Sequence, residues 1–82
     1  MGFKYPVLTP SKVEKILKQA GFSKKRQAGT SHSQWEGYTA GQRRVVTVDQ
    51  LSSKKETYGP ALVKSMIRQS GLDKKKFYSY LK

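Results

Sequence analysis

Apolar residues recur every three to four positions near the start of the chain and predict an amphipathic helix over residues 10–20. Thr9 suits the N-cap of this helix, and Pro10 suits its first turn, where no backbone N–H donor is needed. Gly21 can adopt the left-handed conformation that ends a helix, and Phe22 is placed for the apolar contact that accompanies this ending. The positions predicted to share the buried face are Val13, Ile16, Leu17 and Ala20.

A second helical pattern follows the same rules in the last third of the chain. Gly59 and Pro60 open it, and Gly71 predicts its end. Asp73 is a favourable N-cap for a short last helix over residues 74–81. The predicted inward positions are Val63, Met66, Ile67 and Ser70 in the first of these helices, and Phe77 and Leu81 in the second.

Between the helical segments, the pattern predicts three short antiparallel strands. Residues 22–27 form a short first candidate, residues 31–36 alternate between two faces, and the β-branched residues 43–48 form the third. In the second strand, Ser33 and Trp35 would face the core, leaving His32 on the side open to solvent. We expect turns at residues 28–30 and 37–42.

This order of elements predicts the fold class and the domain organisation. An α-β-β-β-α order with a short C-terminal helix indicates an α+β domain with its helices on one face of a three-stranded antiparallel sheet. That is the layout of a double-stranded-RNA-binding domain. We expect an N-terminal arm (residues 1–8), the domain itself (9–72) and a C-terminal helical extension (73–82).

The net charge of the chain favours some classes of binding partner over others. Seventeen Lys and Arg residues oppose five Asp and Glu residues, giving a formal charge of +12 over 82 residues and a pI near 10.2. Such a balance favours binding to nucleic acid over binding to a membrane surface, because no basic helix carries a broad apolar stripe. There is no cysteine, which excludes disulfides and thiolate metal sites and fits a cytoplasmic protein.

The sole histidine, His32, follows Gly29, Thr30 and Ser31. Histidine can donate or accept a proton near neutral pH, so one such group on a cationic surface suggests proton transfer on a polyanion. On composition alone, a lone histidine is more often an ordinary surface residue.

Four segments in a fixed order resemble the HicA toxin family over roughly residues 10–72. They are the helix end Gln19-Ala20-Gly21-Phe22, the strand start Gly29-Thr30-Ser31-His32, the strand Val46-Thr47-Val48 and the helix end Ile67-Arg68-Gln69-Ser70-Gly71-Leu72. The resemblance implies an mRNA interferase with a double-stranded-RNA-binding-like fold, a catalytic histidine at His32 and neutralisation by a HicB-type antitoxin. The chain departs from many members at Ser33, where they have a second histidine, and at Asp49 and Gln50, where they have a proline and histidines.

RNA carries its own nucleophile, the 2′-hydroxyl, so a cleaving enzyme needs a base, an acid and cations for the phosphate. We expect neutral His32 to accept the 2′-hydroxyl proton, with nearby cations lowering its pKa. Tyr38, Tyr58 and the lysines are candidate acids. The candidate phosphate contacts are the small residues Gly29, Thr30 and Ser31, the cluster Lys24, Lys25 and Arg26, and the pair Arg43 and Arg44. We expect the cluster and the pair to flank the histidine on neighbouring strands. Further candidates of lower rank are Lys54, Lys55 and residues 74–76.

Other classes of function fit less well. The scattered acids and single histidine disfavour metal catalysis, so no cofactor is expected, and no acid has an assignable role in a Ser-His-Asp triad. A non-catalytic double-stranded-RNA-binding module remains an alternative, as does a basic accessory protein of a ribosome or phage particle. We expect RNA and an acidic HicB-type antitoxin as partners, and no membrane.

Overall fold

Helices and a three-stranded antiparallel sheet make up the described part of the chain, which comprises residues 5–25, 32–49, 51 and 56–81 of the computed structural model. The elements are α1 (Pro10–Gln19), β1 (Ser23–Lys24), β2 (His32–Thr39), β3 (Gln42–Asp49), α2 (Pro60–Ser70) and α3 (Lys74–Ser79). The sheet order is β1-β2-β3, and α2 packs against β3 while α3 packs against α1. The α+β class and the α-β-β-β-α order are therefore confirmed.

Both ends of α1 form as the sequence predicts. The Thr9 hydroxyl accepts a hydrogen bond from the Lys12 backbone N–H at 3.4 Å. Gly21 has a φ of +92°, and the Phe22 N–H donates to the Leu17 carbonyl at 2.8 Å. This bond satisfies a carbonyl that the helix itself cannot use, and it brings the buried Phe22 ring under the end of α1.

The predicted ends of α2 and the start of α3 are also confirmed. Gly59 is the N-cap of α2, and Gly71 ends it with a φ of +75°. The Asp73 carboxylate accepts a hydrogen bond from the Lys76 N–H at 2.7 Å, and α3 ends at Ser79, two residues earlier than predicted. Of the predicted inward positions, Val63, Met66, Ser70 and Phe77 are buried, whereas Ile67 and Leu81 are half-buried.

The turn expected over residues 37–42 is wrong, because β2 continues to Thr39 and only Ala40 and Gly41 connect it to β3. These two residues have φ values of +52° and +76°. Two consecutive positive φ angles give the tight hairpin connection whose twist matches that of the flanking strands.

Gly37 marks a close approach inside β2 rather than a turn. A Cβ atom at this position would lie 2.8 Å from the Phe22 ring, so the ring can lie against the strand only because residue 37 has no side chain. Glycine is therefore required at position 37 by the contact with Phe22, and not by the turn that the sequence predicted.

The first strand is shorter than predicted within the described residues. β1 pairs Ser23 with Glu36 and Lys24 with Trp35, and the Lys25 N–H then donates to the Gln34 carbonyl at 2.7 Å. The remainder of the predicted strand and the turn at 28–30 lie outside the described residues.

The core lies between the sheet and the helices and centres on Trp35, which is 2% exposed, as predicted for this face of β2. Leu8, at the end of the expected N-terminal arm, is fully buried, and its carbonyl accepts a hydrogen bond from the Tyr58 N–H at 2.9 Å. The fully buried apolar residues are Leu8, Val13, Ile16, Leu17, Val46 and Phe77.

Candidate active site and RNA-binding surface

His32 is the first residue of β2 and is the register partner of Asp49, the last residue of β3. The structure describes its backbone but not its side chain. Position 32 belongs to the same alternating set of β2 as Gln34, whereas Ser33 and Trp35 belong to the buried set. The other candidates around the histidine, Arg26, Gly29, Thr30 and Ser31, lie outside the described residues.

β1 brings two of the predicted cations to the half of β2 that begins with His32. Lys24 is paired with Trp35, and Lys25 is bonded through its backbone to Gln34, two residues from His32. Both lysine side chains are exposed. A phosphate bound beside the start of β2 would therefore lie within reach of a flexible ammonium group.

Arg43 does not lie beside His32, contrary to the sequence-based expectation. Its register partner is Tyr38, six residues along β2 from His32, which corresponds to about 20 Å at the usual rise of a strand. The tight turn at residues 40–41 explains this separation, because it pairs the start of β3 with the end of β2.

The Glu36 carboxylate links two cations, Lys25 directly after β1 and Arg43 on β3. It accepts a hydrogen bond from Arg43 Nε, and Lys25 Nζ lies 3.6 Å from its Oε2. The hydrogen bond from Arg43 is the largest cause that holds the pKa of Glu36 below its usual value; partial desolvation opposes this, while the charges of Arg43 and Lys25 add to it. Glu36 is therefore ionised at neutral pH and offsets part of the positive charge on this face of the sheet.

Arg44 lies on the opposite face of β3 from Arg43. It belongs to the same alternating set as the buried Val46, and its guanidinium lies so close to Gly71 that a Cβ there would be 2.7 Å from its Nε. This Nε is buried and has no hydrogen-bond acceptor within the described part of the chain. A cation in this place stabilises the negative end of the α2 dipole, which gives Arg44 a structural role that is independent of RNA.

The two tyrosines considered as general acids occupy different environments. Tyr58 is 5% exposed, and its hydroxyl donates to the Asp49 backbone carbonyl at 2.9 Å. Burial chiefly raises the pKa of Tyr58, and the negative charges of Asp49 and Glu14 add to this shift, so its hydroxyl holds the proton used in that bond. Tyr38 is 69% exposed but lies at the far end of β2 from His32.

Tyr58 and Gln69 form hydrogen bonds with the backbone along the outer edge of β3. The sequence did not predict these contacts. The Thr47 N–H donates to Gln69 Oε1 at 2.8 Å, as Tyr58 binds the carbonyl of Asp49. Between β3 and α2 lies a cleft of about 120 Å³ to which these residues contribute. The contacts fix the strand end that faces the backbone of His32.

The described residues contain neither a metal-binding cluster nor a membrane-spanning helix. No group of three or more His, Cys, Asp or Glu residues that could hold a metal ion occurs within ranges 5–25, 32–49 and 56–81. In the same part of the chain, no helix has the length and apolar character needed to cross a membrane.

Comparison with known proteins identifies the family. Individual curated proteins gave no significant match. The family model of the HicA toxins of bacterial toxin–antitoxin systems matches residues 10–72, which run from the start of α1 to just past the end of α2. Because this match covers most of the sequence and the whole α-β-β-β-α unit, the chain belongs to the HicA toxin family.

Proposed function

We propose that this chain is a toxin that cleaves mRNA without a metal ion and uses His32 as its catalytic group. The observation that carries the proposal is the family match over residues 10–72, within which His32 is the sole histidine of the chain. Its place at the start of β2, with Lys25 near it directly after β1, supports this assignment, because cations there suit a phosphate substrate.

In the proposed reaction, His32 accepts the proton of a ribose 2′-hydroxyl. The 2′ oxygen attacks the adjacent phosphorus, the bond from phosphorus to the 5′ oxygen breaks, and the 5′ oxygen takes up a proton. The products are a 2′,3′-cyclic phosphate and a 5′-hydroxyl. One positioned base of this kind accelerates a reaction by about 10²–10⁴-fold.

Neither tyrosine is favoured as the group that protonates the leaving oxygen. Tyr58 already donates its proton to the Asp49 carbonyl, and Tyr38 is six residues from His32 along β2. The proposed acid is therefore a lysine or a water molecule rather than a phenol.

The proposed phosphate contacts form two groups. The first group comprises Lys24 and Lys25, which lie against the first half of β2, together with Arg26, Gly29, Thr30 and Ser31, which precede His32 in the sequence. Arg43 would contact RNA at the other end of the hairpin, and it must exchange Glu36 for phosphate to do so. Arg44, which lies against Gly71, is the least accessible of the proposed contacts that the structure describes.

The proposed protein partner is an acidic HicB-type antitoxin that covers His32. Family membership supports a toxin–antitoxin partnership, and a formal charge of +12 favours an acidic partner. Such a complex should associate quickly at low salt and more slowly as salt screens the charges. Stopped-flow mixing with a HicB-type antitoxin that binds this chain would test this, and an association rate independent of salt would contradict it.

The chemistry is tested with an oligonucleotide that contains a mapped cleavage site. We expect removal of the 2′-hydroxyl at the nucleotide 5′ to the break to abolish cleavage, and we expect products with 2′,3′-cyclic phosphate and 5′-hydroxyl ends. Equal cleavage of the deoxy substrate, or 5′-phosphate ends, would contradict the mechanism. Binding without cleavage, by protein free or mixed with ribosomes, would favour the non-catalytic RNA-binding module.

A further inference from the structure

The segments on either side of the family-matched residues contact each other. Tyr5 and Tyr78 have ring centroids 4.5 Å apart, and Lys74 Nζ lies 4.6 Å from the centroid of the Tyr5 ring. All three residues lie outside residues 10–72. The α3 helix that carries two of them is anchored by Phe77, which is fully buried.

Helix α1 adds a further lysine to this region. Lys12 Nζ donates to the Val7 carbonyl at 3.5 Å, so Lys12 and Lys74 contact residues of the same short segment, two positions apart. We call the region formed by Tyr5, Lys12, Lys74, Lys75 and Lys76 the α1–α3 surface. All four of its lysines are exposed.

Within the part of the chain that the structure describes, no acidic side chain lies in ion-pair contact with the lysines of the α1–α3 surface. The ion pairs found among the described residues join Glu36 to Lys25 and Arg43, in the sheet. Asp73, the acid next to these lysines in sequence, accepts a hydrogen bond from a backbone N–H as the N-cap of α3. The exposed lysines of this surface therefore carry positive charge without an ion-pair partner among the described residues, and an anionic ligand would be attracted to that charge.

We propose that the α1–α3 surface binds the phosphate backbone of RNA at a distance from the cleaved bond. The identity of the ligand rests on the proposed function, in which RNA is the substrate. Lysine is a common phosphate ligand, whereas it is depleted from the interfaces between proteins. The composition of the surface therefore favours RNA over an acidic protein.

The test uses two double variants of the full chain, both in the His32→Ala background so that RNA stays intact. Lys74→Gln with Lys75→Gln removes two charges from the α1–α3 surface while leaving the Asp73 cap and Phe77 in place. Lys64→Gln with Arg68→Gln removes two charges from the exposed side of α2 and serves as the matched control. Circular dichroism melting checks that both variants fold.

Fluorescence anisotropy with a long labelled RNA is measured over a range of salt concentrations. We expect the first variant to bind roughly tenfold more weakly and to lower the slope of log affinity against log salt by about 1.5, and we expect a smaller change in the control. An unchanged slope, or equal losses in both variants, would overturn the proposal. Loss of polyglutamate binding without loss of RNA binding would also overturn it, in favour of an acidic protein.

The same lysine substitutions with His32 intact separate this proposal from the proposed function. Binding of the long RNA and cleavage of a short oligonucleotide are measured side by side on the same chains, so that either result can fail without the other. If no chain with His32 cleaves RNA but the lysine-dependent binding persists, the proposed function fails and the α1–α3 proposal stands. If cleavage occurs and binding does not depend on these lysines, only the α1–α3 proposal fails.

Discussion

Arg43 Nε donates a hydrogen bond to Oε2 of Glu36 across the β2–β3 hairpin. The same carboxylate lies 3.6 Å from Lys25 Nζ. An acidic residue on the central strand thus holds one cation on each side of that strand, Lys25 after β1 and Arg43 on β3. If RNA is the substrate, as we propose, its phosphates would compete with Glu36 for these cations, so we expect this carboxylate to limit RNA affinity.

Glu36→Gln is therefore expected to tighten RNA binding by several-fold at low salt, since it releases Arg43 and Lys25 and removes a charge that repels phosphate. Anisotropy in the His32→Ala background measures the change. Glu14→Gln makes the same charge change on α1 and is the control. Equal gains in both variants would show an effect of net charge alone and contradict the local explanation.

The same ion pairs make the stability of the fold depend on pH. The folded-state pKa of Glu36 is lowered, mainly by the hydrogen bond from Arg43, so its contribution is present above the ordinary glutamate pKa of 4.5. This contribution is lost as pH falls through the lower folded-state pKa. We expect wild type to exceed Glu36→Gln in stability at neutral pH and the difference to shrink in acid. A difference that stays constant from pH 7 to pH 2 in urea unfolding would be inconsistent with this.

The two helix-ending glycines should differ in their sensitivity to substitution. Gly21→Ala introduces a side chain at a φ of +92° into open space, so its expected cost is about 1–2 kcal/mol of backbone strain. Gly71→Ala adds to similar strain a Cβ only 2.5 Å from Thr39 Oγ1 and 2.7 Å from Arg44 Nε. Because Thr39 Oγ1 also donates to the Ser70 carbonyl at 2.9 Å, we expect at least about 1 kcal/mol of additional destabilisation.

Urea unfolding followed by the fluorescence of Trp35, which is 2% exposed, measures both glycine variants. Equal losses of stability would mean that Thr39 and Arg44 move aside at no cost.

The Tyr58→Phe variant tests whether the role of Tyr58 is structural or catalytic. It removes the hydrogen bond to the Asp49 carbonyl, and we expect a loss of about 1 kcal/mol in the free energy of unfolding. At temperatures where the variant is folded, its cleavage rate at saturating RNA should stay within a few-fold of wild type. A loss of 100-fold or more in a folded variant would restore Tyr58 as a candidate acid. Tyr38→Phe, at the end of β2 far from His32, is measured in the same way.

Local signals in the sequence predicted the helices well. Thr9, Gly21, Gly71 and Asp73 each act at a helix end through bonds to nearby residues, so a few neighbouring positions suffice to predict them. Trp35 was placed correctly because strand alternation also depends on near neighbours.

Features that depend on distant residues were not predictable in this way. Gly37 is paired within β2 and accommodates Phe22, which comes fifteen positions earlier in the chain. Because residue 37 is part of β2, the turn lies at residues 40–41 and not over the predicted range 37–42. The start of β3 therefore pairs with the end of β2, and this register separates Arg43 from His32. The contact of Arg44 with Gly71 likewise joins elements far apart in the sequence.

The most direct measurement of the central claim compares wild type with His32→Ala on a long labelled RNA in EDTA, with and without ribosomes. We expect wild type to cleave in at least one of these conditions, and we expect His32→Ala to bind RNA similarly but to cleave at least about 100-fold more slowly. Cleavage by His32→Ala at the wild-type rate would contradict the role of the histidine. A wild-type chain that binds RNA but cleaves it in neither condition would contradict the nuclease itself.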